Sequence, residues 1–129
     1  MVNSHVFDYI NVIDRAADAS ALRNEILSNN IANQDTPGFK RQDIDFETEL
    51  AHAMRRSKYT SIDDKVANIQ PNRLEARIYT DSSDFSYRLD GNNVDPEQEQ
   101  VKLAANQLKY QGLMASLTAE FNNLKAVLK

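Results

Sequence analysis

The C-terminal stretch from Asp95 to Lys129 constrains the fold more than any other part of the chain. Leu103, Tyr110, Leu117 and Leu124 recur every seven residues, and so do Gln107, Met114, Phe121 and Leu128, so seven of these eight positions are apolar. A repeat sustained this long predicts one helix with a coiled-coil seam, because a 3.5-residue apolar period keeps a single stripe turned towards a partner. Asp95 and Pro96 read as its N-cap and first residue: the carboxylate can accept from free N–H groups, and proline's missing N–H is no loss there. A second seven-residue stripe, of small residues, runs through Ala105, Gly112, Ala119 and Ala126. Between Leu103 and Leu124 only Lys109 and Glu120 are charged. A helix so poor in charge calls for neighbours on more than one face. A core helix of an ordinary bundle would satisfy the same demand.

A matching pattern opens the chain. From Asn3 to about Gln34, Val6, Ile10, Ile13, Ala17, Leu27 and Ile31 share one seam, with Ser20 and Asn24 as polar interruptions. Each terminal helix would be about 32 residues, roughly 48 Å at the usual rise. Two equal helices at opposite chain ends predict a mainly α fold, in which they form an antiparallel coiled coil. Residues 1–34 would supply the N-terminal helix and 95–129 the C-terminal one. Residues 35–94 would supply a turn, a short helix and a short irregular or β middle segment. In that pairing Asn24 lies level with Gln107 and Tyr110, so the polar seam positions share one height.

The first helix ends in an unusual string, Asn29, Asn30, Ile31, Ala32, Asn33, then Thr36, Pro37, Gly38 and Phe39. Asparagine is a poor helix former because its amide competes for the backbone. A fraying end tolerates such residues, but three in five also suit a crowded polar junction where each amide finds partners. Pro37-Gly38 fits a type II turn that stops the helix and reverses the chain. Beyond it, Arg41 to Phe46 alternates polar and apolar residues and should be extended. Asp45 can then cap a short helix placing Phe46, Leu50 and Met54 on one face. Residues 55–90 are polar, with enough alternation from Leu74 to Tyr79 for one strand or a short ribbon, and with turn material at Ser82-Ser83-Asp84 and Asp90-Gly91-Asn92-Asn93.

Charge and composition exclude several classes. The net charge of -4 argues against a nucleic-acid binder held by phosphate contacts. Residues 51–80 are locally basic, with six bases against three acids, and a solvated face accounts for them. Without cysteine there is no disulfide framework, thiolate metal site or cysteine nucleophile. His5 and His52 have no ligand spacing to each other or to paired carboxylates, so no metal site is expected. The three glycines form no phosphate loop, and no nucleophile has a base placed by motif. No catalytic residue, cofactor or small-molecule substrate is therefore expected. The N-terminus lacks the charge and apolar pattern of a cleaved secretory signal, and no apolar run approaches a membrane span.

The string Asn29-Asn30-Ile31-Ala32-Asn33 with Thr36-Pro37-Gly38-Phe39 resembles the N-terminal signature of the bacterial flagellar rod and hook proteins. Asp90-Gly91-Asn92-Asn93-Val94-Asp95 and Lys102–Gln111, together with the short length, resemble the proximal-rod members in particular. The likeness covers roughly residues 15–50 and 88–129. It implies a structural subunit that packs through its terminal helices into a helical assembly with copies of itself and with other rod subunits. It also implies contacts with the flagellar export gate and the membrane-ring components, at a periplasmic place in the basal body reached without a cleaved signal peptide. Export substrates of this kind carry a Phe followed four residues later by an aliphatic residue. Phe46 and Leu50 fit that pattern after the signature string, and Phe85 with Leu89 fits it too. The alternative from another class is a dimeric coiled-coil adaptor or export chaperone.

Overall fold

Every other part of the fold is arranged around one helix, α1 (Val6–Ala32), because it packs against other elements on two sides. The computed structural model describes residues 5–82 and 89–129. After α1 come β1 (Gln42–Ile44), α2 (Phe46–Arg55), α3 (Ile62–Ala67), a 3-10 turn (Pro71–Arg73), β2 (Ile78–Thr80) and α4 (Pro96–Val127). The molecule is mainly helical, with its two long helices at the chain ends.

One side of α1 presents Ala19 and Ile26, which bury against Ile44, Phe46 and Leu74 to form the core. Val12, Ala16 and Leu22 widen that side, and Leu50, Ala53, Ile69 and Ala76 pack on it from the middle segment. The other side presents Ser20, Asn24 and Asn30 to α4. Ser20 and Asn24 lie roughly 130° from Ala19 and Ile26 at 3.6 residues per turn, with Asn30 between the two sides, so one helix serves two interfaces. Asn30 meets Glu99, and a few turns earlier Ser20 and Asn24 meet Asn106. These contacts descend α1 as they ascend α4.

Local chemistry sets the element ends. The Asp45 carboxylate accepts from the Thr48 N–H and opens α2, and Asp95 accepts from Glu97 and Gln98 to open α4, with Pro96 as its first residue. Ser61 accepts from the Asp64 N–H at 3.1 Å and donates to its carboxylate at 2.7 Å, a reciprocal cap that starts α3. Gly38 takes φ 71°, and the Phe39 N–H returns to the Thr36 carbonyl, which closes the Pro37-Gly38 turn. The strands pair antiparallel, with Gln42 opposite Thr80 and Ile44 opposite Ile78.

The structure differs from the sequence expectation at four places. First, α1 stops at Ala32 rather than 34, because Asn33 leaves helical geometry and turns its amide back onto the Asn29 carbonyl. Second, Asn24 faces Asn106 rather than Gln107 and Tyr110, so α4 is rotated by about one residue. Third, Met114, Phe121 and Leu128 are 38%, 52% and 85% exposed in the subunit. Gln107 is exposed as well, whereas Leu103, Tyr110, Leu117 and Leu124 are half-buried. The more buried offset stripe sits one residue earlier, at Glu99, Asn106, Leu113 and Glu120. A straight α-helix drifts against a strict seven-residue repeat, and the Asn106 bonds to Ser20 and Asn24 fix which face turns inward. Fourth, the stretch 55–90, read as polar, still adds to the core, because Ile69, Leu74 and Ala76 pack on the core side of α1.

Candidate functional site

The asparagine string and the segment before α4 form one polar junction. Asn30 is fully buried, and its amide nitrogen donates to the Gln42 carbonyl at 2.7 Å and to Glu99 Oε2 at 3.0 Å. Its oxygen accepts from the Gln42 N–H at 3.0 Å. One side chain thereby pairs β1 on the edge away from β2 and reaches α4 as well. Asn92, also buried, spreads its amide over the Asn33, Gln34 and Thr36 carbonyls, which follow the end of α1, and accepts from the Val94 N–H. Asn93 accepts from the Arg41 N–H and donates to the Asp81 carbonyl. The Gly38 N–H donates to Asp90, and Lys40 Nζ donates to the Gly91 carbonyl. Gly91 (φ 76°) lies so close to Gly38 that an added Cβ would sit 3.9 Å from the Gly38 Cα. The residues 90–93 thus clamp the helix end and the turn that follows it.

Below the clamp lies a buried charge network. Arg23 grips Asp43 with two bonds of 2.7 and 3.1 Å. Arg41 donates to Asp43 at 3.0 Å and to Glu99 at 2.7 Å. Lys102 stands 3.5 Å from Glu99, and Asp81 stands 3.6 Å from Arg41. Burial alone would push the Asp43 carboxyl up, but the Arg23 fork, the Ile44 N–H and Arg41 outweigh it and hold the carboxyl below its usual range. Burial likewise works against the Arg41 charge, and Glu99 and Asp43 more than restore it. Among the described residues no buried side-chain nitrogen or oxygen lacks a partner. Removing one partner of such a pair typically costs about 3–5 kcal/mol, because the other charge stays buried. The network therefore fixes how β1, α1 and α4 meet.

The expected site residues fall into three settings. Asn30 lies in the junction, where Ile31 and Asn33 are half-buried, while Asn29, Ala32, Thr36, Pro37 and Gly38 are exposed and Phe39 is half-buried. The Asn29 and Thr36 side chains bond to that of Asn33, so the exposed part of the string holds itself together. Phe46 is buried in the core as the first residue of α2, and Leu50 packs beside it. Phe85 lies outside the described residues, and Leu89 is fully exposed. On α4, Ala105, Gly112, Ala119 and Ala126 are all exposed, together with Val101, Leu108, Met114, Phe121, Val127 and Leu128. Glu47 pairs with Lys109 and ties α2 to the middle of α4.

Sequence reasoning missed Arg23, Arg41, Asp43, Glu99 and Asn92. The visible signal was a cluster of like and unlike charges in otherwise alternating stretches, with no spacing rule to join them. Among the described residues no group of acidic or histidine side chains could hold a metal ion, and no helix is long and apolar enough to cross a membrane.

Comparison with known proteins bears on this arrangement. Residues 10–40, which span most of α1 and the turn, match the family model described as flagella basal body rod protein. The chain is 33% identical over 116 residues to the flagellar basal body rod protein FlgB of Bacillus subtilis, covering 90% of this chain and 89% of the relative. It is 33% identical over 121 residues to the protein of that name in Escherichia coli, covering 88% of each chain. A third similar protein, again named flagellar basal body rod protein FlgB, from Buchnera aphidicola, shares 31% identity over 132 residues, with 96% of this chain and 99% of the relative covered. Matches of this coverage take in the junction and most of both long helices.

Proposed function

The chain belongs to the FlgB family of flagellar basal-body rod proteins, and from that premise we propose how its fold serves the rod. It is a structural subunit of the basal body, acting through assembly with other basal-body components. In the assembled rod, α1 and α4 run on as an antiparallel coiled coil, and neighbouring subunits cover the outer face of α4. The observation that carries this reading is the exposure of Met114, Phe121 and Leu128 beside the small-residue stripe, on a helix whose only charges between Leu103 and Leu124 are Lys109 and Glu120. Such a surface is out of place on a lone soluble subunit, and small residues let another helix approach closely. The junction keeps the two helices at one mutual setting, so torque passes through a stiff joint rather than a hinge. The subunit sits in the periplasmic part of the basal body, next to the export gate and the membrane ring. It arrives there without a cleaved signal, with Phe46 and Leu50 recognised before the chain folds. It carries out no chemistry.

The test is Ala119→Leu in a strain relying on this subunit. The added volume faces solvent in the monomer, so expression and melting temperature should stay unchanged. In the assembly it should clash with the neighbouring helix, and the subunit should be lost from purified basal bodies. A motile Ala119→Leu strain would show that this face is open.

A further inference from the structure

A cleft of about 510 Å³ in the middle segment is rimmed by Arg56, Lys58, Lys65 and Arg73, and Glu49 is its single acidic lining residue. Ile69 and the buried Leu74 form part of its floor. None of the four cations is in an ion pair among the described residues, although Lys58 lies over the Tyr59 ring at 5.4 Å. They stand in a protein whose net charge is -4. The complementary surface lies on the same molecule. Asp14, Asp18 and Glu25 are exposed on α1 and, among the described residues, unpaired. Their spacing of four and eleven residues places them within an arc of roughly 40°. The exposed Ala21 lies at the edge of that arc, roughly 20° beyond Asp14, and it leaves room for close approach.

We propose that the cationic cleft of one copy receives the acidic stripe on α1 of a second copy. The cleft and the stripe are different patches of one chain, so the contact is head-to-tail and need not close on itself. Interfaces of that kind generate open helical arrays. A chain with a net negative charge repels its own copies at long range, and local complementarity of this kind overcomes that repulsion and sets the register. The apolar floor fits a helix face with acidic residues flanking a small apolar one. A nucleic acid or a free phosphate would use the rim and leave the floor empty. The inference rests on the rod-subunit reading and adds which surfaces meet.

Charge exchange tests it. Basal bodies are purified from strains carrying the wild-type chain, Arg56→Glu with Arg73→Glu, Asp14→Lys with Asp18→Lys, or all four changes together. The subunit is then quantified against other basal-body proteins. All the altered side chains are exposed, so thermal melts of the purified subunits should agree within about 2 °C; a variant that melts lower is replaced by its neutral counterpart, Arg56→Gln with Arg73→Gln or Asp14→Asn with Asp18→Asn. Each double variant should lose incorporation by about tenfold, and the four-fold exchange should recover most of it. Equal incorporation of every variant would overturn the inference. Loss in both doubles without recovery in the exchange would also overturn it, since the cleft would then face an acidic partner other than a second copy. Absence of the wild-type chain from basal bodies would instead overturn the rod reading itself.

Discussion

Asn30 and Gln42 pair as two adjacent strand residues would, although one partner is a side chain on a helix. The Asn30 amide donates to the Gln42 carbonyl and accepts from the Gln42 N–H, and its second N–H goes to Glu99. A single buried amide therefore satisfies the free edge of β1 and holds the first turn of α4.

Replacing Asn30 should therefore be costly out of proportion to its size. Asn30→Ala leaves both backbone groups of Gln42 without a partner, at about 1–3 kcal/mol each. We expect a loss of roughly 2–5 kcal/mol in urea unfolding. The exposed Asn29→Ala should stay within about 0.5 kcal/mol of wild type. Equal effects at the two positions would show that Asn30 is replaceable by water.

Arg41 is the only cation that bonds both Asp43 and Glu99 among the described residues. Arg41→Ala should destabilise by about 3–5 kcal/mol, because two carboxylates remain buried with fewer partners. Arg41→Lys should recover little, since an ammonium cannot span both acceptors as the guanidinium fork does. Recovery by lysine to within about 1 kcal/mol of wild type would show that charge matters here and geometry does not.

The pH dependence follows from Asp43. Its carboxyl is held below the usual value in the folded subunit, so the folded state binds the proton less readily than the unfolded chain. The stability this supplies is fully present above the ordinary aspartate value of about 3.9, and it is lost as pH falls from there through the lowered folded value. Unfolding free energies measured from pH 6 down to pH 2 should show this decline. In Asp43→Asn the decline should be shallower, from a lower starting stability. Parallel profiles for the two proteins would rule the contribution out.

Order should fade along α4. Its buried residues are Glu99 and Asn106, both held by polar contacts near its start, and beyond Asn106 every residue is half-buried or exposed. Backbone ordering costs about 1–2 kcal/mol per residue, and one partly covered face offsets little of that. Hydrogen exchange in dilute subunit should be slow to about residue 106 and progressively faster towards Lys129. Uniform protection out to Leu124 would mean that the lone pair of helices is self-sufficient.

Phe46 and Leu50 are core residues in the folded subunit, and the proposed export recognition would act on the same pair before the chain folds. Phe46→Ala and Leu50→Ala should accumulate in the cytoplasm, whereas Phe85→Ala and Leu89→Ala should be exported at near-normal levels. Each lost anchor is worth about 1.5–3 kcal/mol of transient contact, roughly tenfold or more in binding. Equal export of all four variants would leave Phe46 and Leu50 with packing alone.

The helical character of both ends, the Asp95-Pro96 start of α4, the Asp45 cap of α2 and the Pro37-Gly38 reversal are legible in the residue order, because each rests on contacts within a few residues. The residue order also announces a polar junction through its asparagines, without saying which amide is buried. Packing in three dimensions sets Asn30 in and Asn29 out, and turns Asn106 rather than Gln107 towards α1. It alone joined Arg23, Asp43, Arg41 and Glu99 into one network. The physical reason is separation along the chain. Helix caps and turns are closed by neighbours in sequence, whereas the rotation of a helix and the pairing of buried charges depend on residues dozens of positions apart. No local period records which of them will meet.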